Sequence, residues 1–245
     1  MNYHDDAYGA QLLAQLQGKT DKYTFEIIER DDNYIGAGSS PGRYFWDYPK
    51  WTPTEKKAIK LVKGKVLDIG AGAGRHSLYL QRKGFDVTSI DNSPGAVKVC
   101  KLRGLKKAKL LPIEKIGKFK SNSFDTIIML GNNFGLFGSP QKAKTLLKTM
   151  YKITSPKTQI IVENRNPYKT DDPNHLEYHK LNRRKGRMPG QLRLRVRFEK
   201  LISEWFDYLF VSPAEMKMIV KGTGWKISKF ITSRHPDYIA VITKE

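Results

Sequence analysis

Residues 66–80 read VLDIGAGAGRHSLYL, and residues 86–93 follow as DVTSIDNS. "KVLDIG" (65–70) is a short apolar run of strand type. "GAGAG" (70–74) is a turn in which missing Cβ atoms let a ligand approach the backbone, and "GRHSLYLQRKG" (74–84) has helical spacing closed by glycine. Asp91 stands 21 residues after Gly70 at the end of the next strand, where a carboxylate can accept from two ribose hydroxyls. A dinucleotide fingerprint needs a third glycine at position 75, and Arg75 is there instead. A phosphate-binding loop needs Gly-Lys-Ser/Thr after the turn, which is absent. The turn therefore suits a nucleoside without a diphosphate, or else it is a tight strand-to-helix connection with no ligand, Asp68 and Asp91 acting as caps.

Outward from this unit, strand and helix alternate. A helix is expected over Thr54–Leu61, capped by Thr54 and opened by "TPTE". Another covers "SPGAVKVCKLRG", and one covers "PQKAKTLLKTMYKIT". Strands are expected at "AKLLPI" (108–113), "FDTIIML" (124–130) and "TQIIVEN" (158–164). This spacing requires a mostly parallel sheet with right-handed crossovers. "QLRLRVRFEKLI" (191–202) alternates Leu192, Leu194, Val196 and Phe198 with Arg193, Arg195 and Arg197, and should pair with "EWFDYLFVS". A capped helix over 212–225 and two antiparallel strands, "KISKFIT" and "DYIAVIT", close the chain.

The glycine turn and Asp91 together resemble the first motif and the following acid of class I S-adenosylmethionine-dependent methyltransferases. The resemblance implies an α/β Rossmann-like fold: a mostly parallel seven-stranded sheet with an antiparallel last strand, plus a small antiparallel substrate-binding insert. Its parts would be an aromatic lead-in or lid (1–55), a cofactor-binding core (56–164), a basic insert (165–211) and a closing helix and strand pair (212–245). S-adenosylmethionine is the implied cofactor. Gly70, Gly72 and Gly74 would approach its methionine part with Asp68 beside it, Asp91 would hold the ribose, and Asn92, Ile113 and Leu130 would complete the site.

In this family the loop after the fourth core strand faces the transferable methyl, and here it reads "LGNNFGLFG" (130–138). Amide oxygens can hold the N–H bonds of a base amine and a ring can stack on it, which suggests Asn132, Asn133 and Phe134 as the groups that orient an acceptor. The plainer reading makes the two asparagines turn formers. The stretch resembles the Asp/Asn-Pro-Pro-aromatic motif of base-amine methyltransferases without its prolines.

Charge extends this reading. The chain has 44 Lys+Arg against 24 Asp+Glu, a formal +20, which favours a polyanionic partner or else describes a solvated lysine-rich surface. Arg43, Tyr44, Trp46, Trp51, Arg165, Tyr168, Arg193 and Arg195 are the substrate-contact candidates. The expectation is methyl transfer to a nucleobase exocyclic amine of RNA, ribosomal RNA of the N4-cytidine type first. A small-molecule methyltransferase and a non-catalytic RNA partner are the alternatives. His175 and His179 lie four apart, but Leu176 stands where zinc-protease chemistry needs Glu, so no metal is expected. One cysteine, no signal-like N-terminus and no long apolar run suggest a cytoplasmic monomer.

Overall fold

The computed structural model describes residues 6–245. The chain forms two compact units. One is drawn from Met1–Trp51, Leu67–Ile113 and Arg193–Phe206, the other from Thr52–Val66, Glu114–Leu192 and Asp207–Glu245.

A seven-stranded sheet has the order β11-β12-β7-β6-β3-β4-β5. Its strands are β3 (Val66–Ile69), β4 (Val87–Asp91), β5 (Ala108–Leu110), β6 (Phe124–Met129), β7 (Thr154–Arg165), β11 (Trp225–Thr232) and β12 (Asp237–Lys244). β4 pairs with β5, and β6 with β7, in parallel. β12 runs antiparallel to both β7 and β11. A smaller sheet has the order β10-β8-β1-β2, with β9 on β8. It comprises β1 (Ile27–Arg30), β2 (Ile35–Ala37), β8 (Gln191–Phe198), β9 (Leu201–Ile202) and β10 (Phe206–Leu209).

In the first unit the helices are α1 (Ala7–Leu16), α3 (Arg75–Arg82) and α4 (Pro94–Leu102). Neither α1 nor the β1–β2 hairpin was foreseen. Asp6 caps α1 by accepting from the Gly9 N–H at 2.8 Å. Leu12 then packs on Ala73, Ala96 and Val99. Ala7 packs on Val196 and Phe198 of β8, so the apolar face of the arginine-bearing strand covers a helix. Where α1 crosses α4, a Cβ on Gly95 would stand 2.6 Å from the Gly9 Cα. Only glycine permits that approach.

In the second unit α2 (Pro53–Ile59), α5 (Pro140–Ile153), α6 (Pro173–Arg184) and α7 (Pro213–Val220) accompany the long strands. Thr52, not Thr54, caps α2, in a reciprocal pair with Glu55. Ser212 and Glu215 repeat the device on α7. β7 is buried over residues 158–164 and β12 over 238–242, as strands covered on both faces are. The Trp225 indole N–H donates to the Leu147 carbonyl at 2.8 Å. Among the described residues no helix is long and apolar enough to cross a membrane.

Candidate functional site: the glycine turn and its surroundings

β3 ends at Ile69, and Gly70, Gly72 and Gly74 follow at φ +74°, +57° and +77°, a conformation that side chains resist. The turn is tied on several sides. Gly70 and Ala71 N–H groups donate to the Ile90 carbonyl, and Gly74 N–H donates to that of Ala71. The Cys100 thiol donates to the Gly72 carbonyl at 3.2 Å, and the Arg103 guanidinium to that of Ala73 at 2.5 Å. A Cβ on Gly74 would stand 3.0 Å from the Cys100 sulfur.

Asp91 anchors the same turn. One carboxylate oxygen accepts from the Gly72 N–H and the other from the Ser93 N–H, both at 2.9 Å. Burial pushes its carboxyl up to about 6 against those donors. Asp6 joins from α1: one oxygen takes Gly9 N–H, and the other takes the Ser93 hydroxyl and Gly95 N–H at 2.8 Å each. One carboxylate thus caps two helices. Asp68 does something else. Its carboxylate accepts from the Ser77 hydroxyl at 2.6 Å, so it braces α3, and burial raises it to about 7.

Beside the turn, the Tyr8 and Tyr44 rings meet edge to face at 5.4 Å. A Cβ on Gly72 would lie 2.8 Å from the Tyr8 hydroxyl and 3.5 Å from the Tyr44 ring. The Tyr44 hydroxyl donates to Glu26 at 3.3 Å, and the Gln11 amide N–H donates to Glu26 at 2.8 Å. Gln11 Oε1 is buried without a partner. Tyr8, Gln11 and Glu26 were missed in the sequence. The Asp6 cap before an apolar helical run was the available signal for the first two. For Glu26 no local signal exists.

S-adenosylmethionine fits these residues. The turn offers backbone without Cβ atoms, Asp91 retains acceptor capacity for a diol, and Gln11 offers an unclaimed oxygen. Of the remaining cofactor candidates, Asn92 is exposed and Ile113 is buried at the start of a 3-10 helix. Leu130 is buried.

The aromatic lid is corrected at Trp51. Trp51 is only 3% exposed, donates its indole N–H to the Trp46 carbonyl at 2.8 Å, and packs on Tyr48, His76 and Tyr79. Core packing claims that ring. Arg43 is exposed, within reach of the Ser39 hydroxyl and over the half-buried Trp46 ring.

The arginine stripe is also corrected. β1 pairs with β8 so that Glu29 faces Arg195. Arg195 and Arg197 both grip the Glu29 carboxylate, at 2.7 and 2.5 Å, and hold its carboxyl down at about 2. Arg195 also lies over the Trp205 ring at 4.5 Å. Both charges serve the small sheet. Arg193 is exposed.

In the second unit, Asn132 adopts a left-handed conformation just before a short 3-10 helix over Asn133–Phe137, with no side-chain bond to that helix's end. Its carbonyl accepts from the Tyr208 hydroxyl at 2.7 Å, while its Oδ1 is buried with no partner. Asn133 is half-buried. Phe134 is 0% exposed and meets Phe137 edge to face at 4.9 Å, so no base can stack on it. Arg165 pairs with Asp237 at 2.7 Å, and the Tyr168 hydroxyl donates to Glu215 at 2.6 Å. His175 meets the Thr170 hydroxyl at 3.1 Å, and His179 lies against the Tyr168 ring.

Residues 66–157 match the family model described as a methyltransferase domain. The chain has the class I Rossmann-like methyltransferase fold, a mostly parallel seven-stranded sheet with antiparallel last strands. An S-adenosylmethionine-dependent methyltransferase from Bacteroides fragilis, solved with S-adenosyl-L-homocysteine, superposes with a TM-score of 0.84 at 24% identity, covering 100% of this chain and 97% of that one. A glycine/sarcosine N-methyltransferase from Halorhodospira halochloris is 32% identical over 60% of this chain and 54% of its own length. A ubiquinone biosynthesis O-methyltransferase from Xanthomonas oryzae is 34% identical over 28% of this chain and 31% of its own. The chain thus spans about half the length, or less, of these curated relatives.

Proposed function

We propose that this chain is an S-adenosylmethionine-dependent methyltransferase that acts on a small molecule. The observation that carries the cofactor reading is the buried Asp91 carboxylate, fastened to Gly72 in a turn of three left-handed glycines. When bound, S-adenosylmethionine supplies a methyl carbon on a positively charged sulfur that an acceptor lone pair can displace. The chain's part is to bind and to align. Asp91 would accept from the ribose hydroxyls of the bound cofactor, and the glycine turn would admit its amino-acid end.

Two things favour a small acceptor over RNA. Two of the curated relatives are named for glycine/sarcosine and ubiquinone chemistry. Four of the groups an RNA reading needs, Arg165, Arg195, Arg197 and Phe134, are engaged within the protein. The excess of 44 basic over 24 acidic residues keeps a base amine of RNA, N4-cytidine included, as the second reading.

The test has two steps. Calorimetry should detect S-adenosylhomocysteine binding to the wild type and its loss in Asp91→Ala, and an unchanged affinity in that variant overturns the cofactor assignment. Methyl-labelled cofactor is then incubated separately with a metabolite extract and with total RNA. Label in a small product is the expected result, and label confined to RNA nucleosides reverses the order of the two readings.

A further inference from the structure

Glu26 is 6% exposed, and among the described residues its carboxylate has two side-chain partners, the Gln11 amide and the Tyr44 hydroxyl. Among the described residues no ion pair to it is formed. A buried carboxylate without a counter-charge is costly, and a buried amide oxygen without a donor is costly too. Here they adjoin. Gln11 is 0% exposed, its Nε2 is bonded to Glu26 Oε1, and its Oε1, on the same amide carbon, accepts from nothing.

Two neutral donors serve a negative charge, and beside it one acceptor, Gln11 Oε1, has no donor among the described residues. The Tyr44 bonds, 3.3 Å to each oxygen, are at the long end of the useful range and give way readily. Among the described residues, burial and the Gln11 and Tyr44 hydrogen bonds are what act on this carboxyl, and burial raises it. Tyr8, packed on Tyr44, is neutral and driven further toward that form by burial, and Asp91 contributes another negative group near it. The cluster also adjoins the glycine turn, because Tyr8 and Tyr44 are the two side chains that a Cβ on Gly72 would meet.

We infer that Glu26 and Gln11, with the Tyr44 hydroxyl as a displaceable third partner, form a subsite for an alkylammonium group of a ligand bound at the glycine turn. The carboxylate supplies the charge and one hydrogen-bond acceptor. Gln11 Oε1 supplies a second acceptor and fixes the direction of approach. This inference deepens the reading above and rests on it. An ammonium of this kind has two sources: the amino-acid end of the cofactor, or an amine acceptor.

Calorimetry on wild type, Glu26→Gln and Gln11→Leu distinguishes the sources. The probes are S-adenosylhomocysteine, 5′-methylthioadenosine (the same nucleoside thioether without the ammonium), and a panel of small amines including glycine, sarcosine and ethanolamine added to the S-adenosylhomocysteine-loaded protein. A loss of tenfold or more for S-adenosylhomocysteine in Glu26→Gln, with 5′-methylthioadenosine unchanged, assigns the subsite to the cofactor. An unchanged S-adenosylhomocysteine affinity with a tenfold loss for an amine assigns it to the acceptor.

The inference is overturned if S-adenosylhomocysteine stays within twofold of wild type and no amine distinguishes wild type from Glu26→Gln. Failure of the wild type to bind either nucleoside is a different result: it removes the cofactor reading, and this subsite with it. Thermal melting of the ligand-free protein supplies the control. An amide at position 26 removes a buried charge that has no counter-ion among the described residues and can donate to Gln11 Oε1, so Glu26→Gln should melt at or above wild type while binding less tightly. A purely structural role gives the opposite sign.

Discussion

Replacing Gly95 by Ala tests how the N-terminal helix is held on the cofactor unit. In an ordinary helix the change is favourable by up to about 1 kcal/mol. Here the new methyl would stand 2.6 Å from the Gly9 Cα and 2.7 Å from its carbonyl carbon, both backbone atoms that no rotamer change can move. Ordinary contact begins at 3.4 Å, so α1 must retreat by about 0.8 Å. Asp6 travels with it, and its 2.8 Å bonds to Gly95 N–H and the Ser93 hydroxyl would stretch beyond useful length. Overpacking costs roughly 1–3 kcal/mol, and weakening bonds to a buried carboxylate adds roughly 1.5–3 kcal/mol for each one lost. Set against the propensity gain, the net effect is a loss of about 2 kcal/mol or more. For a chain of this size that corresponds to a fall in Tm of roughly 4–8 °C. Differential scanning calorimetry measures the shift, and hydrogen exchange over residues 7–16 should show α1 opening more often. S-adenosylhomocysteine affinity should fall with it, since Tyr8 and Gln11 ride on α1. A rise in Tm with unaltered exchange and affinity would refute the reasoning.

Phe134→Ala should destabilise the protein by about 3–5 kcal/mol, as emptied aromatic sites do. A normal Tm with reduced turnover would instead make this ring a substrate contact. Asp68 gives a pH signature. Its folded carboxyl titrates near 7 and its unfolded one near 4, so its contribution to stability is complete below pH 4 and is lost as pH rises through 7. Asp68→Asn should therefore melt above wild type at pH 8, with the gap closing toward pH 4, and a pH-independent gap would contradict the assignment. Arg195→Ala with Arg197→Ala should loosen the β1–β8 pairing and leave the salt dependence of polynucleotide binding unchanged. A slope shallower by about two would return these arginines to a phosphate-binding role.

What could be read from sequence follows the range of the interactions. Asp91, the left-handed glycines and the alternating strands are local patterns, and each sits in the structure where spacing puts it. The same holds for "TPTE", although its cap proved to be Thr52 because Glu55 reciprocates with that residue. Long-range pairings were opaque. Arg195 looks like a free phosphate contact until Glu29, 166 positions away, is placed across from it. Trp51 and Phe134 looked like exposed ligand surfaces, yet their burial depends on helix and loop neighbours that no short window contains. The helix at residues 7–16 is a different case. Its cap and apolar spacing were present, but the aromatic segment that follows drew the reading toward a lid.

The cofactor unit takes its last piece from Arg193–Phe206, far along the chain from α1. As the protein is synthesised, the partners of Ala7, Val196 and Phe198, come only about 190 residues after it. At roughly 5–20 residues per second that is a delay of about 10–40 s. For that interval the stripe of α1 around Ala7 lacks the β8 side chains that cover it. A message truncated before β8 would yield a product that keeps this stripe exposed, a ready target for chaperones and proteases.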